Sequence, residues 1–456
     1  MKKLIPILLL IIGLTPSLHA QWTSPGNGTT YTLPDLVAAS NGTVTQNGTV
    51  FTIHQDLTIS TNDVLKIDNQ VTRINAASVL ITIQGSMVCT HTNDRVGLYG
   101  LNQTDHFSMR FENATDCVLK RLYFSDGAGI KVIESTVTFD DVKFLYFTRD
   151  YCNAVIDIFN CNPVIQNCLF QDNQGAAISS PANGQSSPQI LNNTFDANVN
   201  GINSPQINLG PGGRDTIRIV GNEVYDRWAQ FHTGGISVAD LMGVGSTKVL
   251  LKDNNIRDGR YGYNQQGATI SSVIVGNQFI DNNNETNPMN GGSGISIYGA
   301  STNCKAILRN NTITGNLWGI TAINQHDIDL GTEAEWGNNI LHGNGNGGEV
   351  YDLYNNSACD ITAVGNNWGT SNVMEIENHI YHQHDNPTFG TVTYTPFIDV
   401  DGLEEYALDP EDIDPKTMTV YSITGQRVNN ESLKPGTYIV VMKQGTQTKT
   451  KKIIIQ

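Results

Sequence analysis

Three aspartates stand at equivalent places along the chain and are the residues best suited to chemistry. Asp226, Asp258 and Asp281 lie 32 and 23 residues apart, and each closes a segment of the form Asn, any residue, large apolar residue, any residue, Asp. Equivalent places in a repeated structure stack above one another, at roughly 5 Å if the segments are neighbouring strands. Carboxylates that close together require a cation, an arginine or a shared proton.

Several kinds of chemistry fit these carboxylates. Calcium prefers oxygen ligands, so the three aspartates can form a calcium site. Two of them can instead act as general acid and base on a glycosidic bond, because neighbouring strands give suitable carboxylate separations. A lyase would use a cationic base beside calcium, and Arg257 or Arg260 can take that role. Aspartate after a strand is also an ordinary turn residue, and the sequence leaves this structural role open beside the others.

The segments around these aspartates are longer than their counterparts and rich in aromatic residues and arginine. From the repeated Asn to the next Gly-led strand they take 13, 13 and 17 residues, against 8 to 10 in the other copies. Insertions at one corner of successive repeats stack on one edge, so we expect a wall formed by residues 225–294. Aromatic rings stack on sugar rings, and arginine pairs with uronate or sulfate groups. The candidate substrate-binding residues are Tyr225, Trp228, Phe231, His232, Tyr261 and Tyr263.

A repeat reveals the elements that must position these residues. The segment Asn, any residue, large apolar residue recurs at intervals of 23 to 34 residues, which is one turn of a solenoid rather than a helical period. The residue before the Asn is mostly Gly, Asn or Asp, which tolerate a positive φ at a sharp corner. One asparagine per turn can then hydrogen-bond the backbone or the asparagine of the next turn. The corner asparagines predicted in this way are Asn167, Asn193, Asn222, Asn254, Asn277, Asn311, Asn338 and Asn366.

The repeat resembles the parallel β-helix repeat family, of pectate-lyase-like shape, over residues 50–397. The resemblance implies an all-β fold, a right-handed parallel β-helix with two to three short strands per turn and a C-terminal lid. Residues 21–49 contain the helix-like segment YTLPDLVAAS and are expected to form a short N-terminal helical cap. The Asn-Thr-Asp, Gly-His-Gly and Arg-Ile-Lys motifs of polygalacturonases do not occur in the chain.

Both ends of the chain indicate export. Residues 1–20 have the two lysines, the apolar run and the small-residue exit of a secretory signal peptide. After an acidic linker at 398–417, residues 418–456 resemble the C-terminal sorting domain of the type IX secretion system. The resemblance implies a small antiparallel β-sandwich, passage through the periplasm, and a final place outside the cell or on its surface. It is carried by Tyr421, Gly425, the run from Pro435 to Tyr438, Gly445, Lys451 and Lys452.

Composition narrows the partners. The formal net charge of −16 argues against a nucleic-acid partner, which needs clustered Lys and Arg. After the signal peptide no apolar stretch approaches the roughly 18 residues of a membrane span, so no transmembrane segment is expected in the mature chain. The seven cysteines show no metal-binding spacing, and we expect mostly buried single thiols, with Cys152 and Cys161 as the pair to check for a bridge.

The sequence therefore predicts a secreted or cell-surface β-helix protein that binds extracellular polysaccharide, including acidic polysaccharide, along the wall at residues 225–294. The first alternative is a polysaccharide lyase or glycoside hydrolase that uses the aspartate column, with calcium as the candidate cofactor. The second alternative is a non-catalytic adhesin or structural stalk. A single fold of this kind can serve all three functions.

Overall fold

The computed structural model describes residues 21–455, except for residues 93, 103, 201–202, 231, 244, 286, 288–290, 347–348, 401–404, 408–417, 423–426, 430–432, 435 and 445–446. The predicted signal peptide and most of the predicted linker lie outside the described residues. Over the rest of the chain, short strands wind into a right-handed parallel β-helix with three faces, which confirms the predicted fold. Faces one and two together form a 26-stranded sheet, and face three forms a 13-stranded sheet.

The strands of each face follow one another at intervals of one coil. Face one contains Trp22–Thr23, Leu57–Ile59, Leu80–Ile83, Phe107–Glu112, Gly127–Ile133, Ala154–Phe159, Ala176–Ser179, Ser204–Leu209, Thr233–Asp240, Tyr263–Gly267, Leu353–Asn356 and Ile380–Tyr381. Face two contains Thr30–Thr32, Val64–Ile67, Ser86–Thr90, Cys117–Lys120, Val137–Asp140, Val164–Gln166, Gln189–Leu191, Thr216–Val220, Thr247–Lys252, Ile270–Val275, Ile361–Thr362 and Val392–Thr393. Two long strands, Ser293–Arg309 and Trp318–Asp329, belong to both faces. Face three contains Val44–Asn47, Val50–Ile53, Arg73–Ala76, Val96–Gly100, Leu122–Ser125, Lys143–Leu145, Leu169–Gln171, Thr194–Asp196, Glu223–Tyr225, Asn255–Arg257, Gln278–Ile280, Thr312–Thr314 and Ile340–Leu341.

The core consists of columns of like residues that point inward from the three faces. Parallel strands in register place equivalent side chains directly above one another, so one good fit is repeated coil after coil. On face three, Phe144 stacks on Phe170 with ring centroids 4.6 Å apart, and Phe170 stacks on Phe195 at 5.0 Å. The same column continues through Val224 and Ile256, both buried.

A ladder of asparagines stabilises the corner between faces two and three. The side-chain oxygen of Asn254 accepts hydrogen bonds from the backbone and side-chain nitrogens of Asn222, both at 2.9 Å. Asn254 in turn donates to the side-chain oxygen of Asn277 at 2.8 Å and to the carbonyl of Ile219 at 2.9 Å. Every polar atom of the buried amide therefore has a partner, which buried polar groups require. The ladder consists of Asn193, Asn222, Asn254, Asn277, Asn311, Asn339 and Asn366.

Two of the predicted corner asparagines are displaced by one residue. Asn167 and Asn338 have φ angles of 57° and 51° and occupy the positive-φ position that precedes the ladder. The ladder positions of those coils are held by Cys168, whose N–H donates to Asn193, and by Asn339. The shift follows from the core column, because Phe170 and Leu341, two residues after the true ladder positions, are the buried residues of their strands.

A second asparagine ladder, which the sequence analysis missed, lies five residues after the first, at the corner between faces three and one. Its upper part joins Asn282 to Asn316 at 3.0 Å and Asn316 to Asn344 at 2.9 Å, and Asn344 ends it on Asp352 at 2.8 Å. Its lower part joins Asn173 to Asn198, which ends on Gln206. The two intervening coils have Arg227 and Gly259 at the equivalent positions, and the first of them carries a long insertion.

Both ends of the β-helix carry a short helix. Helix α1, Leu33–Ala39, begins with Thr32 and Asp35 in a reciprocal capping box, and its Leu33 and Leu36 are buried against the first coils. Helix α2, Val373–Asn378, is capped by Asn372 and buries Ile376 in the core of the β-helix. A small antiparallel pair lies between the last face-three strand, Ile340–Leu341, and the face-one strand Leu353–Asn356. It consists of Gly345–Asn346 and Glu349–Val350. The open ends of the solenoid are thus partly covered.

A small, mostly antiparallel sheet follows the β-helix. Its described strands are Glu405–Ala407, Met418–Ser422, Arg427–Val428, Gly436–Gln444 and Gln447–Ile455. Val420 and Val440 form a hydrophobic cluster separate from the core of the β-helix.

All seven cysteines are unpaired thiols in the structure. Burial raises the pKa of Cys89, Cys117 and Cys152 to about 11, so these thiols keep their protons.

Of the helices in the described part of the chain, none is long and apolar enough to span a membrane.

Candidate functional site

The middle outward-facing residues of the face-one strands form one continuous row, which we call the face-one row. In-register pairing places each of them beside its counterpart one coil away, at roughly 4.8 Å. Every member is polar or a tyrosine, although the chain as a whole is 39% apolar. From the first coil to the last, the row is Thr23, Thr58, Thr82, Arg110, Lys131, Asp157, Ser179, Asn208, Ser237, Asn264, Ser296, Thr321, Tyr354 and Tyr381.

An open cleft of about 500 Å³ lies over the later part of this row. Its floor is formed by outward hydroxyl and amide groups, among them Asn264, Ser296 and Thr321. One side is formed by Arg260 and Tyr261, from the segment between Asn254 and the face-one strand. Hydroxyl and amide side chains both donate and accept hydrogen bonds, so this floor suits a ligand with many hydroxyl groups.

Pairing places Tyr263 beside Ile236 and Ile295, so the Gly that leads its face-one strand is Gly262, eight residues after Asn254, and not Gly267. The expected insertion in this coil is therefore wrong, and the segment is as short as those of the other coils.

Arg260 and Tyr261 are held in place by their neighbours. A guanidinium nitrogen of Arg260 donates to the side-chain oxygen of Asn203, and its guanidinium carbon lies 6.0 Å from the centroid of the Tyr261 ring. The Tyr261 ring packs against Gly234, where a Cβ atom would come within 2.3 Å of the ring. Burial raises the pKa of Tyr261, while Arg260 opposes the rise. Tyr261 therefore remains a neutral hydroxyl whose ring position requires a glycine beneath it.

Aromatic rings close the other end of the cleft. Trp318 and Tyr354 both line it, and their ring centroids are 4.9 Å apart in an edge-on arrangement. Behind them Trp318 stacks on Tyr351 at 4.7 Å, and Tyr354 stacks on Tyr381 at 4.8 Å. Mutual stacking fixes the ring planes, so the cleft ends in a preformed aromatic platform.

Asp226, which the sequence places in a catalytic or calcium-binding column, is buried and accepts hydrogen bonds from its own segment. One carboxylate oxygen accepts the backbone N–H of Trp228 at 2.9 Å, and the other accepts that of Gln230 at 3.0 Å. Burial raises the pKa of this carboxyl group, and the two N–H donors oppose the rise. Its oxygens are thus used to fold the first long insertion.

Asp258 and Asp281 occupy the corner itself and lie outside the cleft lining. Both have positive φ, 56° and 53°, which aspartate tolerates better than most residues. Asp258 forms an ion pair with Arg257, which also lies over the Tyr225 ring at 4.4 Å. In the part of the chain that the structure describes, no group of three or more His, Cys, Asp or Glu side chains is placed to hold a metal ion. Calcium binding by the aspartate column therefore stays a prediction.

The predicted aromatic residues separate to different sides of the corner. Tyr225 and Trp228 lie on the face-three side, where the Trp228 indole N–H donates to Asp172 at 3.2 Å and Arg227 lies 4.8 Å from the ring centroid. Trp228 is 63% exposed. Of the predicted set, Tyr261 together with Arg260 lines the cleft.

Three other candidates stand apart from this arrangement. Tyr263 points inward and is completely buried, with its hydroxyl 3.0 Å from that of Ser272, so it is not available to stack on a ligand. His232 is exposed next to the buried Thr233, and it does not line the cleft. Phe231 lies outside the described residues.

The sequence analysis missed most of the cleft. Trp318 and Tyr354 belong to coils whose corner segments are short, so the length of these segments does not single them out. The floor residues were hidden for another reason, because strand alternation predicts that every second residue faces outward but not which outward residues lie below a wall. A usable signal exists, since the residue two positions after the Gly-led start of the strand is Asn264 after Gly262, Ser296 after Gly294 and Thr321 after Gly319.

Comparison with known proteins supports the fold and leaves the activity open. Residues 244–373 match the family model described as a protein of unknown function, DUF1565. No curated protein sequence matches the chain significantly. Among solved structures, two mutants of the periplasmic alginate epimerase AlgG are similar, each with a TM-score of 0.50 and with 11% and 12% sequence identity. In both, 81% of this chain is covered, together with 84% and 83% of the AlgG chain. At that identity the likeness concerns the β-helix fold alone.

Proposed function

We propose that this protein binds an extracellular polysaccharide in the face-one cleft. The observation that carries the proposal is a hydroxyl and amide floor that ends at the Trp318 and Tyr354 platform. Sugar rings present a polar edge and an apolar face, so they require hydrogen-bonding groups and an aromatic surface side by side. The cleft offers both, and its floor belongs to a row of polar residues that continues along the axis of the β-helix, which suits a polymeric ligand.

The proposal keeps the predicted class of ligand and shifts the place where it binds. Within the predicted wall at residues 225–294, the short segment before Gly262 contributes Arg260 and Tyr261 to the cleft. The remaining contacts come from the floor and from the platform at Trp318 and Tyr354. AlgG, whose name describes it as an alginate epimerase, has a similar fold and acts on a polysaccharide, which is compatible with the proposal.

The two alternatives differ in what they require. A lyase or hydrolase that uses the aspartate column would have to use Asp226 although each of its oxygens already accepts a backbone N–H. Asp258 and Asp281 would then have to act from outside the cleft. A structural stalk requires no ligand at all, and it leaves the clustering of Trp318 and Tyr354 over the polar floor without a use.

Binding to immobilised polysaccharides, followed by calorimetry with the polymer that binds best, tests the proposal. We expect Tyr354→Ala to weaken binding about tenfold, since an aromatic contact contributes about 0.5–1.5 kcal/mol beyond the area it buries. Asn356→Ala removes an exposed cleft residue with little effect on packing and should also weaken binding. The matched control is Trp228→Ala, which removes an exposed ring on the face-three side.

The pattern among these variants decides between the functions. Loss of binding in Trp228→Ala with wild-type affinity in Tyr354→Ala and Asn356→Ala would place the ligand on the wrong side of the corner for this proposal. Release of shortened or unsaturated sugars from the bound polymer, abolished by Asp258→Asn, would favour the enzyme alternative. Absence of binding to every polymer would favour the stalk.

The C-terminal sheet enters the proposal as a sorting signal. We infer from the residues that resemble the type IX sorting domain that residues 418–456 direct the protein through the outer membrane. In cells with a type IX system, deletion of residues 418–456 should leave the protein in the periplasm, while the full chain reaches the surface or the medium. Fractionation followed by immunoblotting measures this. An unchanged distribution would show that the sheet has another role.

A further inference from the structure

A second polar cluster lies on the face-one row, towards the N-terminal end and outside the cleft. Arg110 and Lys131 are direct neighbours in the row, and Asp157 and Ser179 follow them. Tyr151, from the corner segment that precedes the next face-one strand, lies against Lys131. None of these residues was singled out from the sequence, and none is used by the cleft.

Lys131 carries a charge that is held in position without being neutralised by direct contact. Its ammonium nitrogen lies 4.6 Å from the centroid of the Tyr151 ring, a cation–π distance. No ion pair between described residues within 4.0 Å involves Lys131. The neighbouring Asp157 instead accepts a hydrogen bond from the Ser179 hydroxyl at 2.8 Å. The ammonium group therefore remains available to a ligand.

Arg110 and Tyr151 have hydrogen-bond donors to spare. Arg110 uses one guanidinium nitrogen in an ion pair with Glu112. The Tyr151 hydroxyl lies beside the Arg110 guanidinium, which donates a hydrogen bond to it. The hydroxyl proton of Tyr151 then has no acceptor among the described residues. Buried polar groups nearly always have partners, so this remaining donor favours an acceptor from outside the chain. Burial also raises the pKa of Tyr151, so its hydroxyl keeps the proton it would donate.

The chemistry of these groups selects an anion. Guanidinium, ammonium and phenol hydroxyl are all donors, and hydrogen bonds from charged donors are strongest to carboxylate or sulfate oxygens. Cations in direct reach of a ligand matter more than the total charge of −16, since more distant charges are screened over about 8 Å at physiological ionic strength. Asp157 is the carboxylate that follows Lys131 in the row, and the Ser179 hydroxyl donates to it at 2.8 Å.

We propose that Arg110, Lys131 and Tyr151 form an anion site for a carboxylate or sulfate group on the same polysaccharide that occupies the cleft. The inference rests on the proposed function and names the ligand as an acidic polymer. Five strand intervals separate Lys131 from Asn264 on the cleft floor, which is about 24 Å. A long chain spans both places, whereas a disaccharide fills only one.

The test compares three polymers on the full chain: alginate, which carries carboxylates, dextran sulfate, and neutral dextran. We expect Lys131→Gln to bind the recognised acidic polymer about tenfold more weakly, since one hydrogen bond to a charged group contributes about that factor. Lys131→Arg should restore most of the affinity because it keeps the charge. Lys66→Gln is the matched control, with the same change at an exposed lysine of face two. Neither glutamine variant should change binding of a disaccharide of the same acid.

The outcomes separate this inference from the proposed function. A loss with alginate alone identifies a carboxylate, and a loss with dextran sulfate alone identifies a sulfate ester. Wild-type affinity of Lys131→Gln for both acidic polymers overturns the anion site, and the cleft stands if Tyr354→Ala still weakens binding. If the wild-type protein binds neither acidic polymer, the anion site is rejected, while the cleft is decided by the other polysaccharides. If Tyr354→Ala has no effect on the polymer that binds, the cleft and the anion site are both rejected.

Discussion

Asp226 and Asp258 occupy the same place in consecutive repeats, yet the backbone around them decides their roles. Asp258 turns the corner itself with a positive φ and extends its carboxylate to Arg257. Asp226 is not among the positive-φ residues, and its carboxylate turns back onto the N–H groups of Trp228 and Gln230. Identical residues at identical repeat positions are thus no guide to a shared site when one of them closes a long loop.

His326 shows how a buried residue couples stability to pH. Its Nε2 atom lies 2.7 Å from the Ser357 hydroxyl, which itself donates to Asn355 at 2.7 Å, so Nε2 carries the proton and the hydroxyl accepts it. Its Nδ1 atom is buried without a partner among the described residues, and protonation there would place a charge where no acceptor faces it. Burial accordingly lowers the pKa of His326 to about 4, against weaker opposing effects of Asn355 and Asp327.

This arrangement predicts a loss of stability in mild acid. Above pH 6.5 both the folded and the unfolded chain hold a neutral His326, and its contribution is complete. As the pH falls from 6.5 towards 4, the unfolded chain takes up a proton that the folded chain refuses, so the free energy of unfolding decreases by roughly 3 kcal/mol in all. Urea unfolding at a series of pH values should show a shallower decrease for His326→Gln.

The control for the acid profile is the exposed His384, which has a side chain 74% accessible to solvent. His384→Gln should reproduce the wild-type profile, and the comparison concerns the slope with pH rather than the absolute stability. An identical slope for His326→Gln and wild type would mean that other groups cause the acid sensitivity.

At the scale of elements, the corner ladder fixes how coils follow one another. A buried Asn that accepts two hydrogen bonds and donates two more joins three successive coils. Removing it leaves several buried groups without partners, and each such group costs about 1–3 kcal/mol. The ladder thus repeats the same hydrogen bonds between coils beside an apolar core.

Asn254 and its neighbour Asn255 allow a matched test of how much the ladder contributes to stability. Asn254→Ala removes four ladder hydrogen bonds and should lower the melting temperature by several degrees. Asn255 points outward and donates to Glu223 at 2.9 Å on the exposed surface, so Asn255→Ala should change the melting temperature little. Thermal unfolding followed by circular dichroism gives both values. Equal effects would show that the ladder is no more important than surface contacts.

The same elements explain what could be predicted from sequence. The coil repeat was predictable because each ladder Asn stacks on another Asn, so the structure imposes one residue type at one position. At Asn338 and Asn339 the prediction was off by one residue, since both are Asn and both Ile340 and Leu341 are apolar. Only the burial of Leu341 decides between the two registers.

The cleft was predictable only in part, because the sequence does not show which of two similar residues faces outward. Tyr261 and Tyr263 are two residues apart, and nothing in their immediate sequence distinguishes the ring that lines the cleft from the ring that enters the core. The second ladder was detectable as an Asn five residues after the first in segments such as NTFDAN and NTITGN. The second ladder is interrupted at Arg227 and Gly259, and Arg260 and Tyr261, which line the cleft, follow directly after Gly259.

At the scale of the whole molecule, the β-helix and the C-terminal sheet have separate hydrophobic clusters. The β-helix core runs unbroken from Tyr31 to Val392, so its stability depends on neighbouring coils rather than on the sheet that follows. The two separate clusters agree with the two proposed roles, in which the β-helix binds the ligand and the sheet directs export.

The ladder between faces two and three has a consequence for how such a chain changes over evolutionary time. Successive rungs are 23 to 34 residues apart in sequence, yet each rung bonds its neighbours in the same way. Gaining or losing one entire coil would therefore let the rungs on either side join again, whereas a partial coil must be absorbed at another corner. Descendants of this chain are expected to differ in length by whole coils, and every coil gained would lengthen the face-one row by one residue.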